Sequence, residues 1–123
     1  MASVITERVA VTTAGGAGVA TGSAISGALN GELLDIYLDF HASAPATTGT
    51  TIAYTDRGGN VLAVANANTD ALYAPRVAPV NNANAAITNA HDRFALSGRL
   101  TVSVAQSDAL TDCVVAYIRY LRD

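Results

Sequence analysis

The residues that could do chemistry are few, and the clearest group lies on one stretch of alternating residues. Asp35, Asp39 and His41 share one parity, so they would lie on the same face of a β-strand. Carboxylates and imidazoles are ordinary metal ligands. Alternate residues of a strand lie about 7 Å apart, however, which is too far for neighbours to chelate one ion unaided. We therefore expect a solvated face rather than a metal site.

A nucleophilic site can be assembled on paper from Cys113, His91 and Asp92. No nucleophile-elbow motif accompanies them, and Cys113 precedes Val114 and Val115 in an apolar, strand-like run. Such flanks predict a buried, unreactive thiol, and a single cysteine cannot form an internal disulfide. We therefore expect a protein that is not an enzyme, holds no metal and uses no cofactor.

Short β-strands are the elements that must position these residues. The clearest is the stretch 32–41, where apolar and polar residues alternate with a period of two. The alternation predicts a strand with one face in the core and the other in water. The wet face would carry Leu33, Tyr37 and the three chemical candidates. The residues predicted on the core face are Leu34, Ile36, Leu38 and Phe40.

Weaker β patterns recur along the rest of the chain. Strands are predicted over 4–12, 19–25, 50–55, 61–65, 100–105 and 113–121. The last of these is also spaced for a helix, although its β-branched residues favour a strand. Asn30-Gly31 is a turn signal. The glycine-rich stretch 15–18 lies between weak strands, so it predicts a turn and not a phosphate loop.

Two further segments are less regular. Pro75 and Pro79 make 72–80 an edge strand or an extended arm, because proline cannot donate to a central ladder. The Asn- and Ala-rich stretch 81–91 is compatible with one helical turn or with an ordered loop. Together, the patterns predict an all-β fold: one β-sandwich or jelly-roll domain of about eight short strands over residues 1–123. Residues 1–12 would form an arm or an edge strand.

Composition narrows the classes of function. The 123 residues carry a net charge of -3, and no basic run is present, so direct nucleic-acid binding is not expected. No stretch has the length and apolarity of a membrane span or a signal peptide, so we expect no membrane partner and a first location in a reducing cytosol. Large side chains are scarce, since Trp is absent and Phe occurs twice. A thin core gains from burying surface against copies of itself or a larger body.

Three segments carry a resemblance to a known class of protein. They are the stretches 30–40 (NGELLDIYLDF), 66–76 (NANTDALYAPR) and 100–112 (LTVSVAQSDALTD). In this order they resemble small virion proteins encoded among the head genes of tailed bacteriophages, which look like capsid cement or decoration proteins. The resemblance implies a structural protein on the capsid surface of the virion, assembled in the host cytoplasm. It also implies the major capsid protein as partner and a homotrimer.

Two alternatives stay open at this point. One is a neck or tail component of similar β architecture. The other is a carbohydrate-binding module, for which Tyr37 beside Asp35 and Asp39 is the candidate site.

The contacts with partner subunits are predicted on two edge or arm segments, 3–12 and 72–80. Sheet edges offer unpaired backbone groups that a partner can complete, and Tyr and Arg are common interface anchors. The predicted interface residues are Val4, Ile5, Arg8, Tyr73, Pro75 and Arg76.

Overall fold

The strands form two antiparallel sheets that pack face to face. The computed structural model describes residues 2–78 and 82–122. Residues 79–81, which belong to the predicted segments 72–80 and 81–91, lie outside the described residues. The described strands are β1 (Ser3–Val11), β2 (Ala20–Ile25), β3 (Leu29–Phe40), β4 (Gly49–Tyr54), β5 (Asn60–Val64), β6 (Ala71–Tyr73), β7 (Ala95–Gly98), β8 (Leu100–Ser107) and β9 (Val114–Arg122).

The strand order is that of a jelly-roll. One sheet has the order β1-β9-β3-β6, with β7 also paired to β3, and the other has the order β2-β8-β4-β5. Consecutive strands from β1 to β4 cross between the sheets, and β4 and β5 form a hairpin within one sheet. The long connections bring β8 and β9 back beside the first strands, which is the double Greek key of this fold. The predicted all-β sandwich or jelly-roll is therefore confirmed.

The core between the sheets is aliphatic. Its fully buried large side chains include Leu29, Leu38, Ile52, Val102 and Ile118. No described residue is helical, and β9 is a central strand between β1 and β3. The helical alternative for 113–121 is therefore wrong. Isolated helices of this length are marginal, whereas two neighbouring strands satisfy the backbone groups of β9 on both sides.

The register predicted for β3 holds only in its second half. Ile36, Leu38 and Phe40 are buried as predicted, but Leu33 is fully buried and Leu34 only half-buried. The cause is a β-bulge against β9 between Leu33 and Asp35. Because a bulge inserts one extra residue, the residues before it and after it face the core with opposite parity.

The Asn30-Gly31 turn was also predicted wrongly, because both residues lie inside β3. Gly31 has a φ of 149°. A Cβ at this position would lie 2.0 Å from the carbonyl oxygen of Leu121 in the neighbouring strand. The glycine therefore serves a close approach of two strands and not a hairpin turn.

The remaining irregular segments border the same sheet edge. The strand part of 72–80 is β6, which pairs with β3 at the edge of its sheet, in agreement with the two prolines. Val77 and Asp92 then form an isolated bridge. Within 82–91 the chain makes turns, so the ordered-loop alternative is the one observed.

Candidate binding face

A row of four side chains crosses the outer face of the five-stranded sheet. Arg8 on β1 is opposite Tyr117 on β9, Tyr117 is opposite Tyr37 on β3, and Tyr37 is opposite Leu72 on β6. Three spacings between neighbouring strands give the row a length of about 14 Å. We call these four residues the tyrosine row. They are far apart in the sequence, and only the strand order brings them together.

The tyrosine row is accessible to a partner. Leu72 is 59% exposed and Tyr37 is 39% exposed, and Tyr117 is half-buried between its neighbours. The two tyrosine rings lie with their centroids 6.4 Å apart and their planes tilted by 47°. The Arg8 side chain is half exposed, with its Nη2 atom 4.0 Å from an Asp112 oxygen. Both apolar surface and hydrogen-bonding groups are therefore available here.

Two carboxylates flank the row on one side. The Asp70 Oδ1 atom accepts a hydrogen bond from the backbone N–H of Phe40 at 2.7 Å. Asp39 lies on β3 two residues beyond Tyr37, and its side chain makes no hydrogen bond or ion pair with any described residue. Partial burial and the negative charges of Asp70 and Asp39, together with Tyr117, raise the pKa of Tyr37. These surroundings therefore favour the protonated form of the Tyr37 hydroxyl.

An ion pair flanks the row on the other side. The Arg119 Nε atom donates to the Asp35 Oδ1 atom at 2.7 Å, and the Arg119 Nη2 atom donates to Asp35 Oδ2. These hydrogen bonds and the Asp35 charge raise the pKa of Arg119. Asp35 points to the outer face as predicted, but it is only 9% exposed and not solvated. The two-point contact gives the flank a defined geometry.

The predicted residues of the first segment divide between the two sides of β1. Val4 is exposed and shares the outer face with Arg8, so both lie on the binding side of the sheet. Ile5 has the opposite parity and packs partly against the core. Glu7 shares this inward parity, and its Oε2 atom accepts a hydrogen bond from the backbone N–H of Gly27 at 2.7 Å.

The predicted residues of the second segment have structural contacts. Tyr73 packs partly against the core, and Pro75 is half-buried. The Arg76 Nη1 atom donates to the carbonyl oxygens of Leu34 at 3.1 Å and of Pro75 at 2.8 Å. Leu34 lies in the β3 bulge, between the stretches of β3 that pair with β6 and β7. Arg76 thus satisfies a carbonyl group in the gap between these two strands.

The chemical candidates do not converge on one site. His41 follows β3, and its Nδ1 atom accepts a hydrogen bond from the backbone N–H of Ser43 at 3.0 Å. Cys113 is fully buried, as predicted, with its Sγ atom 3.2 Å from Ser107 Oγ. His91 and Asp92 instead line an exposed cleft of about 590 Å³. Among the described residues no three His, Cys, Asp or Glu side chains are grouped to hold a metal ion.

The comparisons with known proteins give distant structural likenesses. No protein-family model matches the chain, and no curated protein matches it. The structure is similar to a family 29 carbohydrate-binding module, with a TM-score of 0.40, 11% identity and coverage of 98% of this chain and 89% of that one. It is also similar to the enzymatically active domain of tailspike protein 4 from bacteriophage CBA120, with a TM-score of 0.35 and 12% identity over 96% of this chain and 19% of that one.

A third similar structure is that of infectious bursal disease virus, with a TM-score of 0.30 and 16% identity over 98% of this chain and 39% of that one. As for membranes, no helix in the described parts of the chain is long and apolar enough to cross one.

Sequence reasoning missed two members of the tyrosine row, Tyr117 and Leu72. Tyr117 lies in an apolar strand, so it looks like a core residue until the outward position of Arg119 sets the parity of β9. Leu72 looks like an ordinary edge residue. The signal that would have found them is the strand register, which a single sequence does not contain.

Proposed function

We propose that this protein is a non-enzymatic structural virion protein that binds the outside of a phage capsid and stabilises contacts between coat subunits. The observation that carries the proposal is the tyrosine row, an exposed line of aromatic, aliphatic and arginine side chains across one sheet. The resemblance of three sequence segments to capsid cement proteins supplies the partner class. Jelly-rolls also occur in viral capsid and lectin domains, although a fold by itself does not specify a function.

The chemistry of the row suits a protein partner. Tyr and Arg are enriched among the residues that carry most of the binding energy of interfaces, and such residues lie near the centre of the contact. Tyr37 and Tyr117 have this central position, while Arg8 and Leu72 lie at the ends. The ion pair of Asp35 with Arg119 is already formed, so a partner would not have to order these side chains.

The placement of the row suits a junction between subunits. β1 and β6 are opposite edges of one sheet, and the row reaches from one edge to the other. A single copy could therefore contact one coat subunit near Arg8 and another near Leu72. Each contact would be weak, but many copies on one particle would together stabilise it strongly. Contacts made within an assembly act at a high effective concentration.

The test is co-sedimentation of the purified chain with phage heads assembled without it. We expect saturable binding at a fixed number of copies per head. The double variant Tyr37→Ala, Leu72→Ala should bind about tenfold more weakly or worse, because it removes two exposed anchors worth 1.4 kcal/mol or more together. Both side chains are exposed enough for the variant to fold, which circular dichroism checks.

The matched control is Thr51→Ala with Ser103→Ala, on the outer face of the other sheet, which should bind heads like the wild type. Equal binding by the Tyr37, Leu72 variant would show that the contact lies elsewhere. No binding of the wild type to heads, together with binding to purified tails or necks, would favour the neck or tail role instead.

Carbohydrate binding is the second candidate function of the same face. It is favoured by the Asp39 carboxylate, which has no described partner, beside the exposed ring of Tyr37. Sugars stack on aromatic rings, and their hydroxyl groups donate to carboxylates. On a glycan array, a carbohydrate-binding protein would give a defined glycan set whose signal is lost in Asp39→Asn. Absence of any glycan signal, with binding to heads, supports the capsid role.

A further inference from the structure

A polar cleft of about 590 Å³ lies beside the tyrosine row. Its charged and imidazole side chains, among the described residues, are Glu32, Arg76, His91, Asp92 and Arg93. On β3, Glu32 is opposite Leu121 and Tyr37 is opposite Tyr117, and these partners share one parity of β9. Glu32 and Tyr37 therefore lie on the same outer face, about 16 Å apart along the strand. A protein that covers the tyrosine row thus lies within reach of the cleft.

The Arg76 guanidinium group in this cleft is held in one orientation. Its Nη1 atom donates to the carbonyl oxygens of Leu34 at 3.1 Å and of Pro75 at 2.8 Å. A guanidinium group carries five N–H donors in a rigid fork, so the donors on Nε and Nη2 remain. Among the described residues, these donors have no acceptor and Arg76 has no ion-pair partner. The second edge of a fixed cation is therefore open to an acceptor from outside.

The other charges of the cleft leave this edge of Arg76 open. The Arg93 Nη1 atom lies 3.3 Å from the Glu32 Oε2 atom, so these two side chains form an ion pair with each other. Asp92 is held through its backbone, because its N–H and C=O groups bond to Val77 at 2.8 Å and 2.7 Å. Its carboxylate forms no ion pair with a cation of the described residues. Asp92 therefore opposes the binding of an anion without blocking Arg76.

We propose that the cleft binds the carboxylate of an Asp or Glu side chain on a protein partner. The two-donor edge of a guanidinium group matches the two oxygens of a carboxylate, and such paired, charge-assisted hydrogen bonds are stronger than neutral ones. Because Leu34 and Pro75 already fix the Arg76 head group, less side-chain freedom is lost on binding.

A protein partner suits the cleft better than a sugar for two reasons. No aromatic ring lines the cleft among the described residues, so a sugar would have no ring to stack on. The cleft also continues the outer face that carries the tyrosine row, so one partner surface covers both. That this partner is a coat subunit rests on the proposed function, whereas the carboxylate site itself is tested without phage heads.

The experiment is an NMR titration of the isotope-labelled full chain with a blocked five-residue peptide that has one central glutamate. The titration runs to roughly 50 mM at constant ionic strength, since one carboxylate contact gives a Kd of about 1–10 mM. We expect saturable shifts of the backbone amides of residues 91–93 and of the Arg76 Nε–H group. The same peptide with glutamine in place of glutamate should leave these signals unchanged.

Four variants sharpen the titration. Arg76→Gln should weaken binding of the glutamate peptide about fivefold or more, and Arg76→Lys, which keeps the charge but loses the two-donor edge, should also weaken it. Asp92→Asn should strengthen binding about twofold to threefold, because it removes a like charge from the cleft. The matched control is Arg8→Gln on β1, at the opposite edge of the sheet, which should bind like the wild type. Circular dichroism establishes that each variant is folded.

Four outcomes overturn the inference. They are the absence of shifts at the cleft, equal shifts with the glutamine peptide, unchanged binding by the folded Arg76→Gln variant, and tighter binding of glucuronic acid than of the glutamate peptide. The last would make an acidic sugar the ligand. None of them bears on the tyrosine row, since head binding is measured separately with the Tyr37, Leu72 variant. Conversely, peptide binding without head binding would contradict the proposed function and leave the carboxylate site in place.

Discussion

The two outer faces of the sandwich share one backbone geometry but differ in how their side chains interact. On the five-stranded sheet, residues of different strands form specific pairs: Arg119 with Asp35, and Tyr117 with Tyr37. On the paired strands of the four-stranded sheet the outward side chains are uncharged and mostly small, with Ile25 as a larger apolar exception. The first face thus presents charged and aromatic groups held in pairs, whereas the second presents mainly hydroxyl and methyl groups. The proposed capsid contact is therefore placed on the first face.

The first test, which has the largest expected effect, concerns the bulge in β3. The bulge decides which residues of this strand face outward. Leu33→Ala should lower the free energy of unfolding by roughly 2–5 kcal/mol, because Leu33 is fully buried and its loss leaves a cavity. Leu34→Ala should cost clearly less, because Leu34 is only half-buried. Urea unfolding of both variants measures the difference. If Leu34→Ala lowered the free energy of unfolding more than Leu33→Ala does, Leu34 would face the core and β3 would alternate without a bulge.

The second test concerns the ion pair beside the tyrosine row. Asp35→Ala should lower the free energy of unfolding by about 1–3 kcal/mol, because it removes two hydrogen bonds to a charged group at a nearly buried site. Since Arg119 is half exposed and can be solvated, we expect the lower part of this range. Ser103→Ala, on the outer face of the four-stranded sheet, is the control and should stay within about 0.5 kcal/mol of the wild type. Equal small effects would mean that neither face contributes specific stabilising pairs.

The third and smallest test concerns the charge around Tyr37. Its pKa is raised by partial burial and then by Asp70, Asp39 and Tyr117. Asp39→Asn should therefore shift the pKa of Tyr37 down towards its usual value, as followed by the ultraviolet absorbance of tyrosinate. Because the folded pKa is the higher one, the unfolded chain ionises first, and stability falls as the pH rises through the tyrosine range. The variant should lose less stability over that range.

The control for this titration is Asp56→Asn, since Asp56 is not among the charges that raise the pKa of Tyr37. It should leave the titration unchanged. A pKa of Tyr37 that does not respond to Asp39→Asn would show that burial, Asp70 and Tyr117 account for the shift without Asp39. The Asp39 carboxylate would then not be a close neighbour of the hydroxyl group in solution.

The sequence by itself determined the class of fold and most of the strands. Alternation in 32–41 and 100–105, with glycine- and asparagine-rich breaks, is a local property of the chain, and each strand of a sandwich expresses it independently. The apolar flanks of Cys113 likewise predicted its burial. The same local reasoning failed at Asn30-Gly31, because the reason for that glycine is the Leu121 carbonyl group of a distant strand.

Only the tertiary structure decided the candidate site. The tyrosine row forms because the strand order is β1-β9-β3-β6 and because the register, which the bulge shifts by one residue, places its members opposite each other. These members are Arg8, Tyr37, Leu72 and Tyr117. The same packing gives Tyr73 and Arg76 contacts within the chain, and their role as interface anchors stays a prediction. Side-chain parity can be derived from the sequence within a regular strand, but not across a bulge such as the one in β3. Strand order and register depend on the packing of the whole chain, and the two outer faces depend on both.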